Sequence, residues 1–220
     1  MNSSPVSLDN PLDAVAVRVL GSLIEKEITT PDNYPLTLNA LTAACNQTSN
    51  RDPVLDLDES TVLKGLDELT RRALARSVHR DTRVKRYRHL MSETLSLHPA
   101  EIAVMCVLTL RGAQTVGEIR TRTSRLFDFP DLARVELTLQ SLMTLSTPLI
   151  AQLPRQPGQK EVRYAHLLSG EPQVDTRPDS VSEEPAQPSR LEVLEQTVAA
   201  LRSEMAELRA QFEQFRQEFQ

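Results

Sequence analysis

Apolar residues recur at helical spacing along residues 11–168, and the same succession of elements runs twice. In the first half, Leu12, Val15, Val19, Leu20, Leu23 and Ile24 predict a buried helix near 11–27. Gly21 inside it costs about 1 kcal/mol of propensity, which signals close packing of a neighbour there. Leu38, Leu41 and Cys45 predict a second helix after Tyr34-Pro35. Asp58 reads as the N-cap of a third, with Val62, Leu63, Leu66 and Leu69 on one face. Two strands, 74–80 and 83–90, then close on a short turn.

The second half repeats this order. A helix starts near Pro99, a second opens with the capping box Thr115-x-x-Glu118, and a third runs from about Asp131 through Val135, Leu139 and Leu142. Strands 149–153 and 161–167 flank Pro157-Gly158, which suits a type II turn. Leu66-x-x-Leu69 returns 73 residues later as Leu139-x-x-Leu142, and Arg86-Tyr87-Arg88-His89-Leu90 returns 77 residues later as Arg163-Tyr164-Ala165-His166-Leu167. Three helices and a hairpin, twice, predict a mainly α fold with small β-hairpins, as tandem winged-helix domains at 11–92 and 93–168 after a tail of residues 1–10. The hairpin is then the wing, and the third helix stands where a recognition helix stands.

Beyond the body the pattern changes. Residues 169–189 hold four Pro and few large apolar side chains, and read as a disordered linker. A linker of about 20 residues has an r.m.s. reach on the order of 25 Å. In residues 190–220, Leu191, Leu194, Val198, Leu201, Met205, Leu208, Phe212, Phe215 and Phe219 alternate steps of three and four without a break. That is the a/d seam of a coiled coil, and the flanking charges favour a parallel homodimer. An amphipathic helix docked on its own body is the other reading, and Phe at a and d leaves trimers and tetramers open.

The stretches LTLNALTAACNQTSNRDPV from Leu36, LRGAQTVGEIRTR from Leu110 and LPRQPGQKEVRYAHLLSG from Leu153 resemble signature segments of the YceH family of uncharacterised bacterial proteins. The resemblance covers about residues 11–170 and leaves the tail largely outside. It implies paired winged-helix domains and no established activity.

Charge changes the picture more than composition does. The net charge is −5, yet residues 71–89 hold eight bases against Asp81 alone, whereas residues 9–68 hold 11 acids and four bases. Arg76, Arg80, Arg83, Lys85, Arg86 and Arg88 of the first hairpin are thus candidates to neutralise phosphates along a groove. Strand alternation sets Arg86 and Arg88 on one face and Lys85, Tyr87 and His89 on the other; the repeated Tyr-x-His places Tyr87 and His89 toward the domain and reads as buried, hydrogen-bonded histidines. In the second half, Arg134, Thr138, Gln140 and Ser141 of the third helix are placed to reach base edges, with Arg155, Lys160 and Arg163 on its hairpin and Arg120, Arg122 and Arg125 before it. Against DNA stands the acidity of the first third helix, with Asp58, Glu59, Asp67 and Glu68. The run Asn46–Pro53 reads either as a contact loop, through its amides and Arg51, or as caps and Asx turns between helices.

Other chemistry finds no foothold. The four His lack metal-ligand spacing, Cys45 and Cys106 read as buried free thiols, and no phosphate-loop or hydrolase motif occurs, so neither metal, cofactor nor catalysis is expected. Glu25 and Glu27 flank Lys26 on what reads as an exposed, solvated helix end. No apolar run approaches the roughly 20 residues of a membrane span, and residues 1–15 lack the features of a secretion signal, so the expected location is cytoplasmic. Two functions remain: a homodimeric DNA-binding protein of regulatory type, or a protein-interaction adaptor of the kind that accompanies chromosome-organising complexes.

Overall fold

Two almost wholly buried helices organise the computed structural model, which describes residues 10–78, 84–155 and 161–171. The first, α1 (Ala14–Thr29), is N-capped by the Asp13 carboxylate, which accepts from the Ala16 N–H at 2.6 Å, and is buried without a break from Ala16 to Glu25. Its counterpart in the second half, α5 (Pro99–Arg111), is buried from Ala100 to Leu110. A helix apolar on nearly all sides belongs in a core rather than on a surface. These two pack on each other at Gly21, where an added Cβ would stand 2.6 Å from Thr109 Oγ1 and 2.8 Å from Leu110 Cδ2. The close approach read from Gly21 is therefore present, with α5 as the neighbour.

Around α1 lie α2 (Leu38–Cys45), capped by Thr37, and α3 (Glu59–Arg71), capped by Asp58 as expected. Val62, Gly65, Leu66 and Leu69 form the buried stripe of α3, and Gly65 brings the α1 backbone close enough that a Cβ would meet Ala16 Cα at 3.3 Å. Leu63 departs from its expected place: it is 38% exposed. One residue on from Val62, it is rotated about 100° away from the stripe, past its edge.

The strands β1 (Leu36–Thr37), β2 (Ala75–Val78) and β3 (Arg86–His89) form an antiparallel sheet in the order β1-β3-β2. The hairpin is as read, though shorter, while β1 is additional. A short α4 (Met91–Leu95) follows, also unanticipated, and leads to α5 through Ser96 in the left-handed region. In the second half come α6 (Val116–Thr123), opened by the Thr115/Glu118 capping box, α7 (Leu132–Thr144), capped by Asp131, and the pair β4 (Ile150–Gln152) and β5 (Tyr164–His166). An isolated bridge joins Gln114 to Tyr164, in the place where Leu36 pairs with Tyr87 in the first half. The repeat thus extends to a third strand position, each time just before a threonine N-cap.

Among the described residues the result is a mixed α+β architecture with seven α-helices and small antiparallel sheets. Both halves share a single apolar core, from Leu12 to Leu168, and belong to one compact unit, so the boundary at 92/93 falls inside it. The ends of this body meet: the Leu12 N–H donates to Leu168 O at 2.7 Å, Gly170 packs on Pro11, and Arg72 donates to Asn10 and Pro11. Cys45 and Cys106 are buried free thiols, and burial raises both above the ordinary thiol pKa. The turn at Pro157-Gly158, residues 172–189 of the linker and every position of the heptad seam lie outside the described residues.

Candidate nucleic-acid interface

The register of the first sheet decides which side chains face outward. Residues opposite each other share a face, so Ala75, Ser77, Tyr87, His89 and Leu36 form one side, and Arg76, Val78, Arg86, Arg88 and Thr37 the other. Ala75, His89 and Leu36 are buried, which makes theirs the inner side. Arg86 and Arg88 share the outer face as expected, and Arg76 joins them, directly across from Arg88. Like charges in that position repel.

Two of these cations have intramolecular partners. Arg86 donates to Pro35 O at 2.9 Å, and Arg88 pairs with Glu93. Arg76 and Lys85 are exposed and have no such partner among the described residues. Arg80 and Arg83 lie outside the described residues. The outer face is thus cationic, with Arg76 open to solvent and Arg86 and Arg88 anchored, while exposed Lys85 stands just before β3.

In the second half the candidates divide more sharply. Arg134 and Gln140 are exposed on α7, but Thr138 is buried and its hydroxyl donates to Arg134 O at 2.9 Å. Ser141 donates to Glu101 Oε1 at 2.6 Å. The outward side of α7 also carries Leu137 and Leu132, 62% and 46% exposed. On the hairpin, Arg163 donates to Ala113 O and Glu118 Oε2, both at 3.0 Å, while Arg155 is exposed and Lys160 lies outside the described residues. Before α7, Arg120 donates to Phe129 O and Pro130 O and Arg122 stands 3.4 Å from Glu118; Arg125 is exposed.

The acids at the end of α1 are not solvated as expected. Glu25 is buried and receives Arg51 on both oxygens, at 3.1 and 2.7 Å. Arg51, itself buried, also donates to Ala44 O, so the Asn46–Pro53 run is a structural clamp, with Asn46 bonding both the N–H and the C=O of Leu57. Burial pushes the Glu25 carboxyl pKa upward, but the Arg51 hydrogen bonds and charge outweigh it and hold it below the ordinary value. Glu27 Oε2 stands 2.6 Å from His89 Nε2, a close electrostatic contact rather than an aligned hydrogen bond. His89 Nδ1 accepts from the Met91 N–H, and the Tyr34 hydroxyl accepts from the His89 N–H.

His89 is therefore buried and hydrogen-bonded, as read. Its counterpart His166 is also enclosed, but its Nδ1 has no partner, and burial pushes its pKa down to about 4. The signal for the buried pair lay in α1 itself: Arg18, Ser22 and Glu25, spaced four and three apart, form a polar stripe on an otherwise apolar helix, and all three are buried. Among the described residues, no group of three or more His, Cys, Asp or Glu is arranged to hold a metal ion. No helix among them is long and apolar enough to cross a membrane.

A family model described as a protein of unknown function, DUF480, matches residues 12–159. The chain is 51% identical over 199 residues to a UPF0502 protein of Geobacter sulfurreducens, covering 90% of each chain. It is 56% identical over 167 residues to one of Geotalea daltonii, covering 76% of this chain and 77% of that one. A UPF0502 protein of Solibacter usitatus is 47% identical over 213 residues, 97% of this chain and 100% of the other, so similarity reaches into the tail as well.

Proposed function

This chain belongs to the DUF480 family of uncharacterised bacterial proteins, and from that premise we propose that it is a nucleic-acid-binding protein, of regulatory type, whose two halves are winged-helix units. The observation that carries the reading is the outer face of the first sheet, where Arg76, Arg86 and Arg88 share one surface and exposed Lys85 directly precedes β3. Anchoring Arg86 and Arg88 at their hydrogen-bond partners fixes where their charge lies, and the exposed Arg76 and Lys85 supply mobile contacts to phosphates. The matching of Leu36 and Gln114 as third-strand positions supports the winged-helix reading of both halves. Base readout falls to Arg134 and Gln140 on α7. Thr138 drops out of that role because it is buried. The protein is a binding protein rather than an enzyme in this reading, cytoplasmic, and paired with a second copy through the heptads of residues 190–220.

The test is binding of the full chain to a random pool of duplex DNA across a salt series, with the recovered sequences determined. Two lost phosphate contacts in Arg76→Glu/Lys85→Glu flatten the log–log salt slope by about 2 and weaken binding to all sequences alike. A double variant that binds as tightly as the parent removes the first hairpin from the interface.

A second reading, a protein-interaction adaptor, has its own observation: Leu132 and Leu137 stand out from α7, where a groove-reading helix is ordinarily polar. It gains if duplex DNA fails to bind at moderate salt.

A further inference from the structure

The last turns of α1, α5 and α6 surround a cleft of about 430 Å³, which the loop after α2 closes on its remaining side. We propose that this cleft binds a small organic phosphate and is a site separate from the basic face of the first sheet. Its walls bring together Lys26, Arg111, Arg122 and Arg125, and Glu25 is the one carboxylate among the lining residues. That carboxylate is already matched by Arg51 at 2.7 Å. Lys26 and Arg122 stand near acids, 3.5 Å from Glu25 and 3.4 Å from Glu118. Arg111 and Arg125 pair with no carboxylate among the described residues; Arg111 donates instead to the neutral Asn50 side chain.

Two cations are thus held in a concave space without an anion. Burial and then the neighbouring Arg122 charge lower the Arg111 pKa, as expected for a guanidinium enclosed near another. The helix C-termini bring about half a negative charge each, and this accounts for part of the gathering of cations. Local donors already serve those ends: the Thr30 and Gly112 N–H groups cap α1 and α5, and the hydroxyls of Thr29, Thr30 and Thr121 turn onto carbonyls of their own helices. The hydroxyls of Ser49 and Ser124 line the cleft and make no hydrogen bond among the described residues.

Guanidiniums and hydroxyls approaching from different walls suit a tetrahedral oxyanion better than a planar one, and guanidinium–phosphate contacts are strong, charge-assisted hydrogen bonds. Val107, Leu110 and Leu126 give the same cleft an apolar side for the organic part of the molecule, and its volume lies within the range of small-molecule sites. Because α1 belongs to the first half and α5 and α6 to the second, an occupant here touches both.

The experiment is thermal unfolding and titration calorimetry of the full chain with inorganic phosphate and with 5′-AMP at constant ionic strength, chloride as reference and malonate as the carboxylate control. A saturable rise in Tm with phosphate is expected. 5′-AMP binds more tightly than phosphate, because it also covers the apolar side. Arg111→Gln and Arg125→Gln each weaken binding about tenfold or more, the loss of a charge-assisted contact. Arg125 has no partner among the described residues, so its variant keeps the fold, and Arg76→Glu on the first sheet leaves the titration unchanged. A response that does not saturate, or is equal in the parent and Arg125→Gln, overturns the site. Tighter binding of malonate than of phosphate overturns the ligand class. Loss of duplex binding in Arg125→Gln with no response to phosphate also overturns the proposal, and makes the cleft part of the nucleic-acid surface.

Discussion

His89 and His166 occupy matching places in the two hairpins but meet different surroundings. His89 has Glu27 on one nitrogen and the Met91 N–H on the other, while His166 has only burial, which lowers its pKa from 6.5 to about 4. Between those values the unfolded chain takes up a proton at this position and the folded chain does not. Stability therefore falls as pH is lowered through that window, by on the order of 3 kcal/mol over its full width. Urea denaturation at pH 7 and pH 4.5 checks this: His166→Asn should lose much of the parent's pH dependence, and an unchanged profile contradicts it. The Arg51–Glu25 pair gives a second expectation. Arg51→Ala leaves a buried carboxylate without its partner and should cost about 3–5 kcal/mol by the same measurement, with partial recovery in Arg51→Ala/Glu25→Ala. That pair was only half legible in the sequence. The polar stripe of Arg18, Ser22 and Glu25 was there to see, but acids near a helix end are usually solvated, and the partner lies 26 residues away in a loop.

At the scale of elements, what was written locally could be read and what depended on a distant partner could not. Asp58 and Thr115 cap the helices they were expected to cap, because a cap needs only the next three residues. The two-residue β1 escaped, since Leu36 and Thr37 become a strand only by pairing with Tyr87 and Arg86. Leu63 was misplaced because a contiguous apolar pair does not say which member the neighbouring helix covers. Gly21 was legible for the opposite reason: a glycine inside an apolar helix loses propensity for some gain in packing. Gly21→Ala measures that gain. Propensity alone favours alanine by about 1 kcal/mol. With Thr109 Oγ1 2.6 Å from the new Cβ, overpacking against α5 should prevail and destabilise the protein by about 1–3 kcal/mol net, read as a lower denaturation midpoint.

For the whole molecule, the repeat foretold two similar halves but not that they share a core. Apolar periodicity shows which side of α1 and α5 is buried; it does not show that each helix is buried against the other. The candidate interface was legible as a charge count and became narrower once geometry was known: Thr138 left it, Arg163 turned to Glu118, and Arg76 entered the outward face opposite Arg88. Pairing through the heptads is tested by truncation after Gly170, which should give monomers by light scattering; a persisting dimer transfers the contact to the body. The closure of that body has a further consequence. With Leu12 bonded to Leu168 and Gly170 lying on Pro11, the chain from residue 10 to 171 is nearly a ring. A few residues joining Glu171 to Asn10 would complete the circle, and new termini cut into an exposed turn would leave every core contact in place.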